Sequence, residues 1–190
     1  VIAADVSTGF LNLISKKFEG KKVKTFELNG KNLDGIYDNS VDLIATYSVL
    51  HHIPDYLATI QEMIRVCAPG GVIYIDHEQN NEYWLHKSEY LEFKRKAQKI
   101  NLKKFFVLSN YIGKVKRIFD PKYANEGDIH VWDDDHIEWD IIDKIMSEKG
   151  LKKVLQNDFL LYNKNYKDEI FNKYKDTCTD MRVSAYQKNI

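Results

Sequence analysis

Polar side chains follow four apolar segments of this 190-residue chain, at the positions where each segment ends. Asp5 closes the first segment, and Asn29-Gly30 follows the second. The third and fourth are followed by Thr46-Tyr47-Ser48 and by His77-Glu78. In an open parallel sheet, ligands bind outside the carboxyl ends of the strands. If the apolar segments are strands of such a sheet, these residues are the first candidates for a binding site.

The first two polar groups offer nucleoside-binding chemistry. A carboxylate at a strand end, such as that of Asp5, can accept hydrogen bonds from both hydroxyls of a ribose. The alternative is that Asp5 caps the helix that follows. The side-chain amide of Asn29 can pair with an adenine edge, and its alternative is a simple Asn29-Gly30 turn. The residue types alone leave both pairs of alternatives open.

Apolar segments and turn residues alternate through the first 76 residues in a strand–helix rhythm. Ser7 and Thr8 are suitable N-caps for a first helix, and Pro54 suits the first turn of a second. Pro69-Gly70-Gly71 is predicted to interrupt the chain before the fourth strand. The predicted strands are residues 1–6, 23–28, 41–46 and 72–76. This order predicts an α/β fold with a mostly parallel sheet, helices on both faces and right-handed crossovers.

The rhythm changes after residue 76. A long segment rich in Tyr and Lys follows, and we expect it to be mostly helical. It is predicted to be a capping insertion at about 78–131 within a single domain of residues 1–190. An amphipathic helix at 135–149 and strands at 151–161 and 181–187 are predicted to follow. The last strand alternates as an antiparallel partner would.

Composition excludes several classes of protein. Lys plus Arg equals Asp plus Glu, at 28 each, so the net charge indicates no stable nucleic-acid partner. The two cysteines, Cys67 and Cys178, lack the spacing of a disulfide framework or a metal site, so no metal is expected. No apolar run approaches the roughly 20 residues of a membrane helix. These features predict a cytoplasmic protein without a transmembrane segment.

Two longer strings are much more specific than the single strand-end residues. One runs from Tyr37-Asp38-Asn39-Ser40-Val41-Asp42 to Val49-Leu50-His51-His52-Ile53-Pro54-Asp55, and the other is Arg65-Val66-Cys67-Ala68-Pro69-Gly70-Gly71. Both resemble the class I S-adenosylmethionine-dependent methyltransferases, and the matched blocks cover residues 1–76. The resemblance implies a three-layer Rossmann-like methyltransferase sheet with S-adenosylmethionine as cofactor.

The resemblance also implies cofactor-binding roles for seven residues at the strand ends. They are Asp5 and Val6 at the ribose, Asn29 and Gly30 at the adenine, and Thr46, Tyr47 and Ser48 at the methionine end. Of the histidine pair, His52 is the one we expect to face the core, in a structural role. Neither His51 nor His52 is expected to bind a metal.

No catalytic residue is assigned by the sequence. A general base is needed only where the acceptor must lose a proton. His77, Glu78 and His130 are candidates for that base, and the alternative for the first two is that they cap the next helix.

One motif of the family is not found in this sequence. The family carries a glycine-rich turn, acid-x-Gly-x-Gly, one strand and one helix before the strand that Asp5 closes. We therefore expect an N-terminally truncated form of the fold, in which a strand–helix unit of roughly 30 residues is missing.

The resemblance predicts transfer of a methyl group from S-adenosylmethionine to a small-molecule or lipid-like acceptor. The aromatic and basic residues of the insertion are compatible with peripheral membrane contact. Two alternatives stay open: a non-catalytic subunit that retains the fold, and an RNA methyltransferase. The sequence leaves the acceptor and the oligomeric state undetermined.

Overall fold

The computed structural model describes residues 1–99 and 136–190. The described residues form six strands: β1 Ile2–Asp5, β2 Lys24–Glu27, β3 Val41–Tyr47, β4 Cys67–Gln79, β5 Leu151–Phe159 and β6 Met181–Lys188. Their α-helices are α1 Thr8–Lys17, α2 Tyr56–Val66, α3 Asn81–Leu85, α4 Ser88–Ala97, α5 Trp139–Glu148 and α6 Asp168–Tyr174. A 3₁₀ turn at Leu50–His52 lies between β3 and α2. The predicted alternation of strands and helices is confirmed.

The described strands form two sheets. β1 and β2 form a parallel pair, and the other strands form a second sheet in the order β3-β4-β6-β5. β3 and β4 are parallel, whereas β6 is antiparallel to both of its neighbours. The Rossmann-like α/β architecture and the antiparallel final strand are therefore as predicted. The division into two sheets was not predicted.

Helix starts follow their capping residues. The hydroxyl of Ser7 accepts a hydrogen bond from the amide of Phe10 at 3.3 Å and so caps α1, as predicted. Asp55 caps α2 by accepting from the amide of Ala58 at 3.0 Å. Pro54 precedes this cap, so the prediction that it lies in the first helical turn was wrong by two positions.

Pro69-Gly70-Gly71 does not interrupt the chain before the fourth strand, because β4 runs through it. The pairing with β3 shifts at this point. Cys67 pairs with Val41 and Val72 pairs with Leu43, so the four residues 68–71 of β4 form a bulge opposite a single residue of β3. A Cβ on Gly71 would lie 2.8 Å from the carbonyl oxygen of Ala68. Only glycine fits so close to the folded-back backbone, which explains the glycine without a break in the strand.

The main core lies on one face of the four-stranded sheet, where α2 and α5 pack. Its fully buried members include Ile60 of α2, Ile73 and Ile75 of β4, and Trp139 and Ile142 of α5. Burying such apolar side chains is the main stabilising term of the fold. This core therefore supports β3 and β4 and fixes the positions of their carboxyl ends.

Arg65 of α2 holds the connection between β2 and β3. Its guanidinium donates to the carbonyl oxygens of Ile36 and Leu33 at 3.0 and 3.2 Å, and it pairs with Asp38 and Glu62. The Arg65 interaction lowers the pKa of Glu62, so the pair remains charged at neutral pH. Through this connection the β1–β2 pair is anchored to the larger sheet.

A second, smaller core lies between α4 and α6 and centres on Phe93. Its buried members are Tyr90, Phe93, Ala97, Leu160, Tyr166, Tyr174 and Cys178. The buried Asp180 borders this cluster and accepts hydrogen bonds from the amide of Leu161 at 2.7 Å and the hydroxyl of Tyr90 at 3.2 Å. Burial raises the pKa of Asp180, which means that the fold disfavours its charged form.

We expect the free energy of unfolding of Asp180→Asn, measured relative to that of the wild type, to increase as the pH rises. Because the folded-state pKa is raised above the unfolded value, the contribution of Asp180 is most favourable below about 3.8 and declines as the pH rises towards the raised value. Asparagine keeps an acceptor for the Leu161 amide but has no charge to bury. Urea unfolding of both proteins at pH 4 and pH 7 measures the effect. A stability difference that is the same at both pH values would contradict it.

The predicted capping insertion is described only in part. β4 extends to Gln79, and α3 and α4 follow it, with α4 packed against α6. Residues 100–131 of the insertion, and with them His130, lie outside the described residues. In the described ranges, every helix is too short or too polar to cross a bilayer.

Candidate functional site

The carboxyl ends of β1 and β2 lie side by side. Asp5 is paired in register with Glu27, and the amide of Leu28 donates to the carbonyl oxygen of Asp5 at 2.9 Å. A Cβ on Gly30 would lie 3.7 Å from the side chain of Val6. Val6 and Gly30, predicted from two different strand ends, are therefore neighbours in the fold.

One oxygen of the Asp5 carboxylate is engaged with the next helix. Its Oδ1 accepts the amide hydrogen of Ser7 at 2.7 Å, at the residue that caps α1. Its Oδ2 has no hydrogen-bond partner among residues 1–99 and 136–190. Asp5 thus contacts the start of α1 through Oδ1, as the capping alternative predicted, and keeps Oδ2 free to accept a further hydrogen bond.

The side chain of Asn29 is largely used by its own turn. Its Oδ1 accepts the amide hydrogens of Lys31 and Asn32 at 2.8 and 3.0 Å, and its Nδ2 donates to the side chain of Asn32 at 2.6 Å. This geometry supports the turn alternative for Asn29. Gly30 adopts φ 75°, the left-handed conformation that such a turn requires.

The ends of β3 and β4 form a second group of strand-end residues. Ser48 has φ 53°, and its amide donates to the carbonyl oxygen of Asp76 at 2.9 Å. The exposed ring of Tyr47 lies with its centroid 4.1 Å from that of His77. Thr46 faces the core side, and its buried hydroxyl has no hydrogen-bond partner among the described residues.

Glu78 is a fully buried carboxylate that holds the loop after β3. The amides of Val49 and Leu50 donate to its Oε1 at 2.8 and 2.7 Å, and Nδ1 of His51 lies 2.7 Å from its Oε2. An ionised carboxylate is an acceptor only, and these three contacts occupy both of its oxygens. Glu78 therefore serves as a structural clamp, which argues against its use as a general base.

His51, and not His52, is the buried member of the histidine pair. The prediction that His52 faces the core was wrong, because the 3₁₀ turn at Leu50–His52 directs His51 towards Glu78. The two rings lie against each other with centroids 3.9 Å apart. The structural role predicted for one of the pair thus belongs to His51.

His77 lies at the surface of the same strand end. It has φ 57°, and its Nδ1 lies 2.9 Å from Oδ1 of Asp76. Asp76 also accepts from the amide of His77 at 2.8 Å and from the hydroxyl of Tyr74 at 2.9 Å. The hydrogen bond to Asp76 raises the pKa of Tyr74, which keeps this hydroxyl protonated as a donor.

The sequence did not single out Asp76. A signal was present, because Asp76-His77-Glu78 places an acid on each side of a histidine at the end of a predicted strand. The sequence alone does not indicate which histidine each of the two acids contacts. Asp76 contacts the partly exposed His77, whereas Glu78 contacts the buried His51.

The comparisons with known proteins agree with this fold. Residues 1–75 match the methyltransferase domain family. A demethylmenaquinone methyltransferase from Oceanobacillus iheyensis is 31% identical over 97 residues, which are 50% of this chain and 41% of the relative. The chain therefore spans less than half the length of that relative.

Solved structures of methyltransferases that share the fold over nearly all of the chain include the following two. An S-adenosylmethionine-dependent methyltransferase from Methanosarcina mazei has a TM-score of 0.59 and 16% identity, with 100% of this chain and 82% of that chain covered. One from Mesorhizobium loti has a TM-score of 0.61 and 12% identity, with 99% and 80% covered. At these identities the likeness establishes the architecture.

Proposed function

Because the chain has the fold of the class I S-adenosylmethionine-dependent methyltransferases and matches their domain family over residues 1–75, we propose that it transfers a methyl group from S-adenosylmethionine to a small-molecule acceptor. The observation that carries the proposal is the free acceptor oxygen of Asp5 at the carboxyl end of a parallel strand. The matches favour neither the non-catalytic subunit nor the RNA methyltransferase.

Asp5, Val6 and Gly30 fit the nucleoside part of the cofactor. The free Oδ2 of Asp5 can accept from a ribose hydroxyl, and the exposed side chain of Val6 offers an apolar contact at the ribose, beside Gly30 at the adenine. Asn29 fits less well, because its amide is engaged in the turn. Its role in this proposal is to shape the turn that presents Gly30.

Thr46, Tyr47 and Ser48 are proposed to line the methionine end of the cofactor. The partnerless hydroxyl of Thr46 and the left-handed backbone of Ser48 are the features that support this assignment. When bound, S-adenosylmethionine supplies the electrophilic methyl group on its sulfonium. The protein then has to orient the acceptor and exclude water.

One further strand is proposed between β1 and β3. Among the described strands, β1 pairs with β2 alone and β3 with β4 alone, so each has an open edge. Ile2 of β1 and Leu43 of β3 are 52% and 62% exposed, although strands of parallel sheets are ordinarily buried on both faces. A strand that joins the two sheets would cover these edges. The single domain with a capping insertion stays part of the same proposal.

The acceptor is proposed to be a planar aromatic molecule. Tyr47, His77 and Phe159 present three rings at the ends of β3, β4 and β5, with the His77 centroid 4.1 Å from Tyr47 and 5.4 Å from Phe159. The name of the Oceanobacillus relative contains demethylmenaquinone, which is such a molecule and is the first acceptor to test.

Peripheral membrane contact and a cytoplasmic location are further parts of this proposal. The cytoplasmic location is supported by the two cysteines, which are free and buried.

Calorimetric titration of S-adenosylmethionine into the protein tests the proposal. We expect Asp5→Ala to weaken binding by roughly 10- to 100-fold, because a hydrogen bond to a charged group contributes about 1.5–3 kcal/mol. The matched control is Asp34→Ala, which removes the same charge from an exposed loop position. Its affinity should stay within about twofold of the wild type.

Two outcomes would contradict separate parts of the proposal. A folded wild type that binds no S-adenosylmethionine would remove the enzyme function altogether. Equal affinities for Asp5→Ala and the wild type would retain the function but remove Asp5 from the ribose site.

A further inference from the structure

Two residues other than glycine adopt left-handed backbone conformations at neighbouring strand ends. Ser48 follows β3 with φ 53°, and His77 lies near the end of β4 with φ 57°. Such conformations are strained for residues with a side chain, and they concentrate at functional sites. At His77 this conformation interrupts the regular alternation of β4 side chains between the two faces of the sheet, and the His77 ring lies against Tyr47.

The ring of His77 is held in one orientation by Asp76. Oδ1 of Asp76 accepts from both the amide and Nδ1 of His77, at 2.8 and 2.9 Å, while Oδ2 accepts from the hydroxyl of Tyr74 at 2.9 Å. A carboxylate at Nδ1 selects the tautomer in which Nδ1 carries the hydrogen. Nε2 then has a free lone pair, and it makes no hydrogen bond to residues 1–99 or 136–190.

The surroundings of His77 suit an aromatic acceptor. Tyr47 is tilted by 30° against its ring, and Phe159 approaches edge-on at 66°. The side chain of His77 is 24% exposed, which leaves it accessible, in contrast to the fully buried Glu78. The oriented imidazole, the partly exposed side chain and the flat neighbouring rings suit a base that deprotonates a ring hydroxyl within hydrogen-bond reach of Nε2.

We propose that His77 is the general base of the reaction and that Asp76 positions it, for an acceptor that reacts as the hydroquinone form of an aromatic quinone. This inference rests on the proposed methyltransferase function. The hydroquinone is required because its ring carbons are electron-rich and can attack a methyl group, whereas those of the quinone are electron-poor.

The proposed reaction is balanced as follows. Nε2 of His77 takes the proton of one ring hydroxyl, and the electron pair of that O–H bond is delocalised into the ring. A ring carbon forms a bond to the methyl carbon of S-adenosylmethionine, and the C–S bond breaks with its electron pair left on sulfur. That ring carbon then loses its hydrogen as a proton to solvent, and His77 returns a proton to the oxygen. The products are the methylated hydroquinone, S-adenosylhomocysteine and one proton.

The test uses the protein with S-adenosylmethionine and chemically reduced demethylmenaquinone as the probe. His77→Gly should fold normally, because glycine adopts φ 57° without strain. We expect it to lower kcat by about 10²- to 10⁴-fold, the range of general-base catalysis, with the Kd for S-adenosylmethionine within about twofold of the wild type. Added imidazole should restore part of the lost rate.

His86→Gly is the matched control. His86 also has a left-handed backbone, with φ 49°, and its exposed Nδ1 contacts the carbonyl oxygen of Tyr83 at 2.8 Å after α3. His86→Gly makes the same substitution as His77→Gly at the same kind of left-handed backbone position, but we expect kcat to be unchanged. For the positioning role, Asp76→Asn should lower kcat about tenfold or more with KM unchanged, a separation that general loosening of the fold would not produce.

The outcomes separate this inference from the function on which it rests. Full kcat in His77→Gly would overturn the role of His77. A wild type that binds S-adenosylmethionine but does not methylate the reduced probe would overturn the hydroquinone acceptor, and with it the inference, while leaving the methyltransferase proposal in place. A wild type that binds no S-adenosylmethionine would remove the proposed function itself.

Discussion

Replacing Glu78 with alanine should lower the free energy of unfolding by about 3 kcal/mol or more. The carboxylate is fully buried and accepts from the amides of Val49 and Leu50 as well as facing Nδ1 of His51. Its removal leaves two backbone donors without their acceptor, each of which costs about 1–3 kcal/mol when buried. Urea unfolding followed by circular dichroism measures the loss.

Glu148→Ala provides the control for Glu78→Ala. The side chain of Glu148 is 63% exposed and its contact with Lys144 spans 3.9 Å, so its removal should change stability by no more than about 0.5 kcal/mol. Glu78→Gln should fall between the two, because an amide oxygen can still accept from the Val49 and Leu50 amides. A Glu78→Ala protein as stable as Glu148→Ala would show that the clamp contributes little.

Replacing Trp139 with alanine should lower the free energy of unfolding by about 3–5 kcal/mol. The side chain is fully buried between α5 and the sheet, and its Nε1 donates to the carbonyl oxygen of Gln79 at 2.8 Å. The guanidinium of Arg182 lies 5.3 Å from its ring centre and is held there by two hydrogen bonds to Asp158. The substitution therefore removes a large apolar surface, a hydrogen bond and a cation–π contact together.

Trp139→Phe separates these contributions. Phenylalanine retains most of the buried ring but cannot donate to Gln79, so we expect a loss of about 1–2 kcal/mol. Thermal and urea unfolding of the two variants, both followed by circular dichroism because the change removes a fluorophore, test the ordering. Equal losses for Trp139→Phe and Trp139→Ala would mean that the hydrogen bond, and not packing, dominates.

Elements with strong local signals were predictable. α1 and its Ser7 cap, the strands around Asp5 and Tyr47, and the antiparallel final strand all follow from apolar periodicity and capping chemistry. α6 was missed because Asp168–Tyr174 is short, carries charges at three of its seven positions and is apolar only where it meets α4. The division into two sheets depends on which distant strands become neighbours, and local periodicity does not contain that information.

At the candidate site, positions were more predictable than orientations. Asp5, Gly30 and Tyr47 lie at strand ends as expected, since parallel strands align these ends. Alternation from the buried Ile73 and Ile75 would have directed His77 inward and Glu78 outward. The irregular pairing between Ile75 and Glu78, with the left-handed backbone of His77, reverses this. A bulge arises from contacts across the sheet, so the sequence alone did not predict which acid would be buried.

The position of β6 between β4 and β5 has a consequence for how the protein folds. Gln187 of β6 donates its side-chain hydrogen bond to the carbonyl oxygen of Gly70, which is 117 residues earlier. The central strand pairing of the four-stranded sheet therefore closes a very long loop, and its contact order is high. Until β6 is in place, one edge of β4 stays unpaired, so slow folding and association of partly folded chains are the expected kinetic costs of this topology.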